Sequence, residues 1–131
     1  LQRLVYSNLK LGNDQEALRY MKAIFSMDPI KEHTEILDRI FLESGMEGVL
    51  HWYVDWLQNN ESPDFYYVAQ LNLKIAGIYG LLGDVQHAME YLEKAWETGD
   101  ISLPYIKFNP NLALLRDDPR FKAMLKEMNL D

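Results

Sequence analysis

Residues 70–98 read Gln-Leu-Asn-Leu-Lys-Ile-Ala-Gly-Ile-Tyr-Gly-Leu-Leu-Gly-Asp-Val-Gln-His-Ala-Met-Glu-Tyr-Leu-Glu-Lys-Ala-Trp-Glu-Thr, and their periodicity decides the fold. Ile75, Ala76, Tyr79 and Leu82 recur at three- and four-residue spacing. Gly83-Asp84 interrupts, and Val85, Ala88, Met89, Leu92, Ala95 and Trp96 then resume the same period. This is the pattern of two amphipathic helices joined by a tight turn. Gly83 can adopt the positive φ that ends the first helix, and Asp84 can accept hydrogen bonds from the free N–H groups that open the second. Small residues fall where the two helices must touch. A pair this short cannot bury its apolar face alone, so the hairpin calls for neighbours of its own kind.

Ala76, Tyr79, Gly83, Ala88, Leu92 and Ala95 stand at the spacing of the tetratricopeptide repeat, which the hairpin resembles. Two other glycines that close an apolar helix give further units. Gly12 is followed by Ala17, Met21, Ile24 and Pro29 at the matching offsets; Gly45 is followed by Leu50, Val54 and Leu57, without the small alanine. The three glycines are 33 and then 38 residues apart, against a repeat period of about 34. The longer interval falls at Asn59-Asn60-Glu61-Ser62-Pro63, which reads as a loop. The resemblance implies an all-α fold: a right-handed stack of about three helix pairs, near 1–28, 29–60 and 62–99, closed by a helical cap over 100–131.

The chain has 131 residues, of which 48% are apolar, enough for one domain with a core and too few to expect two. It contains no cysteine, which removes disulfides and thiolate metal sites. A formal charge of −7 argues against nucleic acid or an anionic membrane as partner, since a phosphate surface is bound by cationic side chains. No apolar run reaches the roughly 20 residues of a spanning helix, and nothing resembles a signal peptide. The sequence opens at Leu1, inside a helical pattern and without methionine, and reads as a piece of a longer protein. A cytoplasmic location is favoured, with a periplasmic one following if the piece was attached to a transmembrane regulator.

Leu1, Leu4, Val5, Asn8 and Leu11 form one stripe of a first helix, and Gly12-Asn13-Asp14 turns the chain into Gln15–Met27. Asp28-Pro29 ends that pair. The next helix runs from about Glu32 to Glu43, with Ile36, Leu37, Ile40 and Phe41 inward, and stops at Ser44-Gly45. Met46–Asn59 follows with an apolar arc from Met46 through Trp52, Tyr53 and Trp56 to Leu57. An arc that wide suits a helix packed on two neighbours. Ser62-Pro63-Asp64 has the form of a cap that launches Phe65–Leu82. After Gly99 the pattern becomes short. Ile101–Phe108 is irregular, Asn109-Pro110 can cap a short helix through Leu115, and Asp118-Pro119 can cap a last one with Phe121, Met124, Leu125 and Met128 inward.

The run Leu-Leu-Arg-Asp-Asp-Pro-Arg-Phe over 114–121, behind the Leu-Gly-Asp hairpin, is similar to the C-terminal end of certain bacterial regulators. In these a tetratricopeptide segment follows a winged-helix, adenylate cyclase or Ser/Thr kinase domain. The likeness spans Gly45 to Leu130 and departs at Asn129, where a glycine is usual. It implies a regulatory or interaction role with no catalytic residues to carry over.

Catalytic patterns are missing. His33, His51 and His87 form no His-Glu-x-x-His arrangement, which would hold zinc on one helix face. Glu47, His51 and Asp55 share a helix edge, a spacing suited to a metal or to a solvated charged face. Gly77, Gly80 and Gly83 lack the Gly-Lys-Ser/Thr of a phosphate loop and suit close packing instead. No Gly-x-Ser-x-Gly elbow occurs. We therefore expect no enzyme activity, no cofactor and no metal.

Binding remains. In tetratricopeptide stacks the first helix of each pair lines a groove, and the matching positions are Gln2, Tyr6 and Leu9, then Glu32, Glu35, Arg39 and Glu43, then Leu73, Gly77 and Gly80. With Arg39 as the lone cation, the face suits a protein or peptide partner with basic and apolar residues rather than a bare carboxylate. A merely solvated face is the alternative. Trp52, Trp56, Tyr66 and Tyr67 could instead enclose a small ligand, as in a sensor domain of a membrane-linked transcriptional regulator, form a self-association patch, or pack in the core.

Overall fold

The structure is a computed structural model that describes residues 2–26, 32–59, 65–98, 106 and 109–129. The expected helix end at Asp28-Pro29, the loop and cap over 60–64, and most of the irregular stretch 101–108 lie outside the described residues. Everything regular among the described residues is helical: α1 Gln2–Lys10, α2 Asp14–Ser26, α3 Glu32–Asn59, α4 Phe65–Leu82, α5 Val85–Thr98, a 3-10 helix Pro110–Leu115, and α6 Pro119–Glu127. The fold class is all-α. Two compact units, Leu1–Trp56 and Leu57–Asp131, are taken in turn.

In the first unit α1 and α2 pair through Gly12, whose φ of 78° is a conformation that costs a side chain energy. There the Gly12 N–H donates to the Leu9 carbonyl at 3.2 Å and the Asn13 N–H to the Asn8 carbonyl at 2.8 Å, closing the last turn of α1. The Ala17 N–H then donates to the Asn13 carbonyl at 3.0 Å and α2 begins. Val5, Ala17, Met21 and Phe25 are buried. Leu4 and Leu11, expected on the same inward stripe as Val5, are instead exposed. The surface that α2 covers on α1 is a narrower arc than the stripe spans. The expected pair Glu32–Glu43 and Met46–Asn59 is present as the two halves of α3, which are separate helices on either side of a break at Gly45 (φ 68°, ψ −163°). A methyl on Gly48 would fall 2.6 Å from Ser44 Cβ and 2.9 Å from Ile40 Cγ2, so the halves of α3 meet at a residue with no side chain.

The second unit repeats the device. Gly83 has φ 78°; its N–H donates to Gly80 at 3.2 Å, and the Asp84 N–H donates to Tyr79 at 3.0 Å. The Asp84 carboxylate accepts from the His87 backbone N–H at 3.1 Å, capping α5 as the sequence suggested. Matching offsets from the turn glycines lead inward: Ala17 and Met21 after Gly12, Leu50, Val54 and Leu57 after Gly45, and Ala88, Leu92 and Ala95 after Gly83 are all buried. Alanines 76, 88 and 95 allow close approach, and Met89, Leu92, Ile106, Leu112, Leu115, Phe121 and Met124 complete that core.

The C-terminal segment docks on this hairpin. Asn109 caps the 3-10 helix through its side chain, which accepts from the Asn111 N–H at 2.9 Å, and Pro110 sits in its first turn. Asp118 caps α6 by accepting from the Arg120 N–H at 2.8 Å, with Pro119 next. Phe121 and Met124 are buried, with Leu125 and Met128 packed against them. Asn129 has φ 59°, so asparagine fills the left-handed position where the resemblance expects glycine, a role few other residues accept.

Candidate functional site

The expected groove residues have different surroundings. On the first half of α3, Glu35, Arg39 and Glu43 are exposed. They share a face with Leu42, which is 87% exposed. Offsets of four, seven and eight residues align these four on one side of a helix. The opposite side carries the buried Leu37 and the half-buried Ile36, Ile40 and Phe41. Tyr6 and Leu9 on α1 are half-buried, and burial pushes the Tyr6 hydroxyl up to about 12. The side chains of Gln2 and Glu32 lie outside those described.

The α4 positions are closed. Leu73 packs against the core of its unit. Gly77 lies 3.5 Å, measured from where a Cβ would be, from Asn111 Cβ, and at Gly80 the same atom would stand 2.2 Å from the Asn111 carbonyl oxygen. The chain's own 3-10 helix thus covers the face expected to be open, and its backbone needs Gly80 bare, whereas the contact at Gly77 is an ordinary one. Periodicity along α4 could not show this, because the covering residue comes from a distant segment.

Trp52 and Trp56 are half-buried. Both present an edge-to-face geometry with the buried Phe25, at centroid distances of 5.2 and 4.9 Å, and Tyr53 meets the same ring at 5.9 Å. These contacts join α2 to the second half of α3 and are typical of core packing. The side chains of Tyr66 and Tyr67 lie outside those described. Glu47, His51 and Asp55 are exposed, and among the described residues no three His, Cys, Asp or Glu side chains converge on a metal-sized site.

Two features went unread in the sequence. A groove of about 450 Å³ lies beside α2, lined by Gln15, Leu18, Arg19, Lys22 and Ala23 with Thr34 of α3. The α2 members recur at three- and four-residue steps, so their common face was readable although the space beside it was not. Lys22 reaches across to both carboxylate oxygens of Asp38 at 2.9 Å. Arg19 bonds Glu16 at 2.8 Å and lies 4.7 Å from the centre of the Tyr20 ring. In the second unit Tyr79 stacks on His87 and Tyr91 at 5.0 and 5.7 Å. His87 Nδ1 meets Asp84 at 2.7 Å, Gln58 Nε2 donates to the Tyr91 hydroxyl, and Lys94 sits 4.3 Å from the centre of the Tyr91 ring. This column ties turn, cap and helix together.

Against known proteins, one segment stands out. Residues 69–97 match the family model of the tetratricopeptide repeat. No curated protein and no solved structure gives a significant match. The matched segment is the α4–α5 hairpin whose turn, cap and small-residue contacts are described above. Repeats of this kind generally mediate contacts between proteins, which supports a non-catalytic interaction role. No helix among the described residues is long and apolar enough to cross a membrane.

Proposed function

We propose that the chain is a protein-interaction domain that takes a peptide or protein partner on the exposed face of the first half of α3. The observation that carries this reading is Leu42, an 87% exposed leucine flanked on one helical face by Glu35, Arg39 and Glu43. A leucine there gives nothing to the core, whereas apolar contact framed by carboxylates suits a segment that alternates apolar and basic residues. Regulation of an attached domain is the context in which such binding would act. The alternative, small-ligand sensing through Trp52 and Trp56, has less support, since Phe25 already meets an edge or face of each ring.

Fluorescence anisotropy with a labelled amphipathic leucine–lysine peptide tests the reading. Glu35→Lys with Glu43→Lys should weaken binding about tenfold or more, as expected for two lost charge contacts and two repulsions. The same change at Glu93 and Glu97 on α5 should leave it within about twofold. Leu42→Ser should weaken it without altering the fold. Equal effects of the two charge reversals would show attraction to net charge alone and overturn the assignment.

A further inference from the structure

We infer that the partner of the α3 face is a second copy of this chain, which presents Leu114, Arg116 and Asp117 of its C-terminal cap; the inference rests on the reading of that face as a binding surface. The face calls for an exposed apolar side chain beside a cation that is free to pair. Among the described residues the large exposed apolar side chains are Leu4, Leu11, Leu42, Trp96 and Leu114. Lys10, the cation described on α1 with Leu4 and Leu11, already has a partner. Trp96 has the exposed Glu93 and Glu97 as neighbours along α5, and the nearby Lys94 lies over the Tyr91 ring. Leu114, 59% exposed, is two residues from the exposed Arg116. Among the described residues no hydrogen bond, ion pair or ring contact engages the side chain of Arg116, Asp117, Glu35, Arg39 or Glu43.

The two surfaces match group for group. On α3, Arg39 and Glu43 flank Leu42 along one face; on the cap, Arg116 and Asp117 follow Leu114, and all are exposed. Leucine on leucine, with Arg116 toward Glu43 and Asp117 toward Arg39, gives an apolar centre with an opposite charge on each side. Residues two apart are separated by at most about 7 Å of backbone, and helical neighbours three or four apart stand about 5–6 Å from each other, so the spacings agree. Net charge adds to the fit. Glu35, Arg39 and Glu43 leave the α3 face negative, whereas residues 114–122 carry Arg116, Arg120 and Lys122 against Asp117 and Asp118 and are positive in a chain of net charge −7. Leu114 is also held in place, because Leu112 and Leu115 on either side of it are buried and Asp118 caps α6; a surface ordered beforehand loses little freedom on binding. Since the contact joins two different surfaces, it either closes reciprocally as a pair or continues from copy to copy.

Complementation between two variants of the full chain tests this. A contact this small should give a Kd of about 0.1–1 mM, so the amide shifts of residues 35–43 and 113–117 should move together as the protein is concentrated from about 0.02 to 2 mM. Leu42→Ser with Glu43→Lys removes the α3 surface, and Leu114→Ser with Arg116→Glu removes the cap surface; all four side chains are exposed, so far-ultraviolet circular dichroism should be unchanged. Neither variant alone should show concentration-dependent shifts. Mixed, they should associate through their intact surfaces with a Kd within about twofold of the unaltered protein's, moving 35–43 of the cap variant and 113–117 of the α3 variant. Shifts of the unaltered protein that stay constant to about 2 mM, continued association of either variant alone, or a mixture that stays monomeric would each overturn the proposal. Binding of the leucine–lysine peptide to a chain that does not self-associate would overturn it too, while leaving the α3 face as the site of a foreign partner.

Discussion

Replacing Gly80 and Gly77 by alanine, one at a time, should move stability in opposite directions. Both lie in α4, where glycine costs about 1 kcal/mol relative to alanine, so each substitution begins with that gain. At Gly77 the new methyl meets Asn111 Cβ at 3.5 Å, an ordinary contact, and the gain of about 0.5–1 kcal/mol stands. At Gly80 the methyl would lie 2.2 Å from the Asn111 carbonyl oxygen, with the carbonyl carbon at 3.3 Å. A backbone oxygen cannot rotate away as a side chain would, so the 3-10 helix must retreat by about 1 Å to restore normal contact. Retreat loosens Leu112 and Leu115, both fully buried, whose burial contributes about 1.5–3 kcal/mol each. Losing part of that contribution outweighs the helical gain and leaves Gly80→Ala about 1–3 kcal/mol less stable, the usual range for overpacking. Urea unfolding followed by far-ultraviolet circular dichroism measures both. Equal stabilisation by the two substitutions would refute the docking of the cap on α4.

Three further outcomes are expected. Gly12→Ala and Gly83→Ala should each cost about 1–2 kcal/mol by denaturant midpoint, because φ is 78° at both and nothing lies within 4 Å of the added methyl, leaving backbone strain as the sole penalty. Burial acts against the charged form of Asp118, but its bonds to the Arg120 backbone and guanidinium and to the Phe121 N–H prevail and hold the carboxyl below its ordinary value. The folded pKa being depressed, its stabilisation is present above the unfolded value of about 3.9 and is lost as pH falls through the folded one. The stability gap between the protein and Asp118→Ala, about 1 kcal/mol near neutrality, should therefore shrink in acid unfolding. For Tyr6 the folded value is raised to about 12, so its contribution is full below the unfolded value of about 10 and is lost as pH rises from there through 12. Tyr6→Phe should flatten that alkaline decline in thermal scans.

Much of the scaffold was legible because its determinants are local. Gly12, Gly45 and Gly83 mark the three helix breaks, each with positive φ. Burial of Ala17, Ala88 and Ala95 follows from helical spacing, and Asn109 and Asp118 cap as their positions before proline suggested. What escaped depends on contacts distant in sequence. Nothing in the period of α4 tells that Asn111 will lie on Gly80, and nothing in α1 tells that Leu4 and Leu11 remain uncovered while Val5 is buried. The groove beside α2 belongs to the space between elements, which a one-dimensional pattern does not encode. Of the candidate groove positions, Glu35, Arg39 and Glu43 are exposed on the α3 face, whereas Leu73 packs against the core of its unit and Gly77 is buried by the chain itself.

The measurement that bears most directly on the interaction role is amide chemical-shift mapping of the full chain with the leucine–lysine peptide. The account expects saturable shifts concentrated on residues 35–43, with Leu42 among the largest. Shifts centred on Trp52 and Trp56, or spread evenly over Glu90, Glu93 and Glu97 on α5, would contradict it.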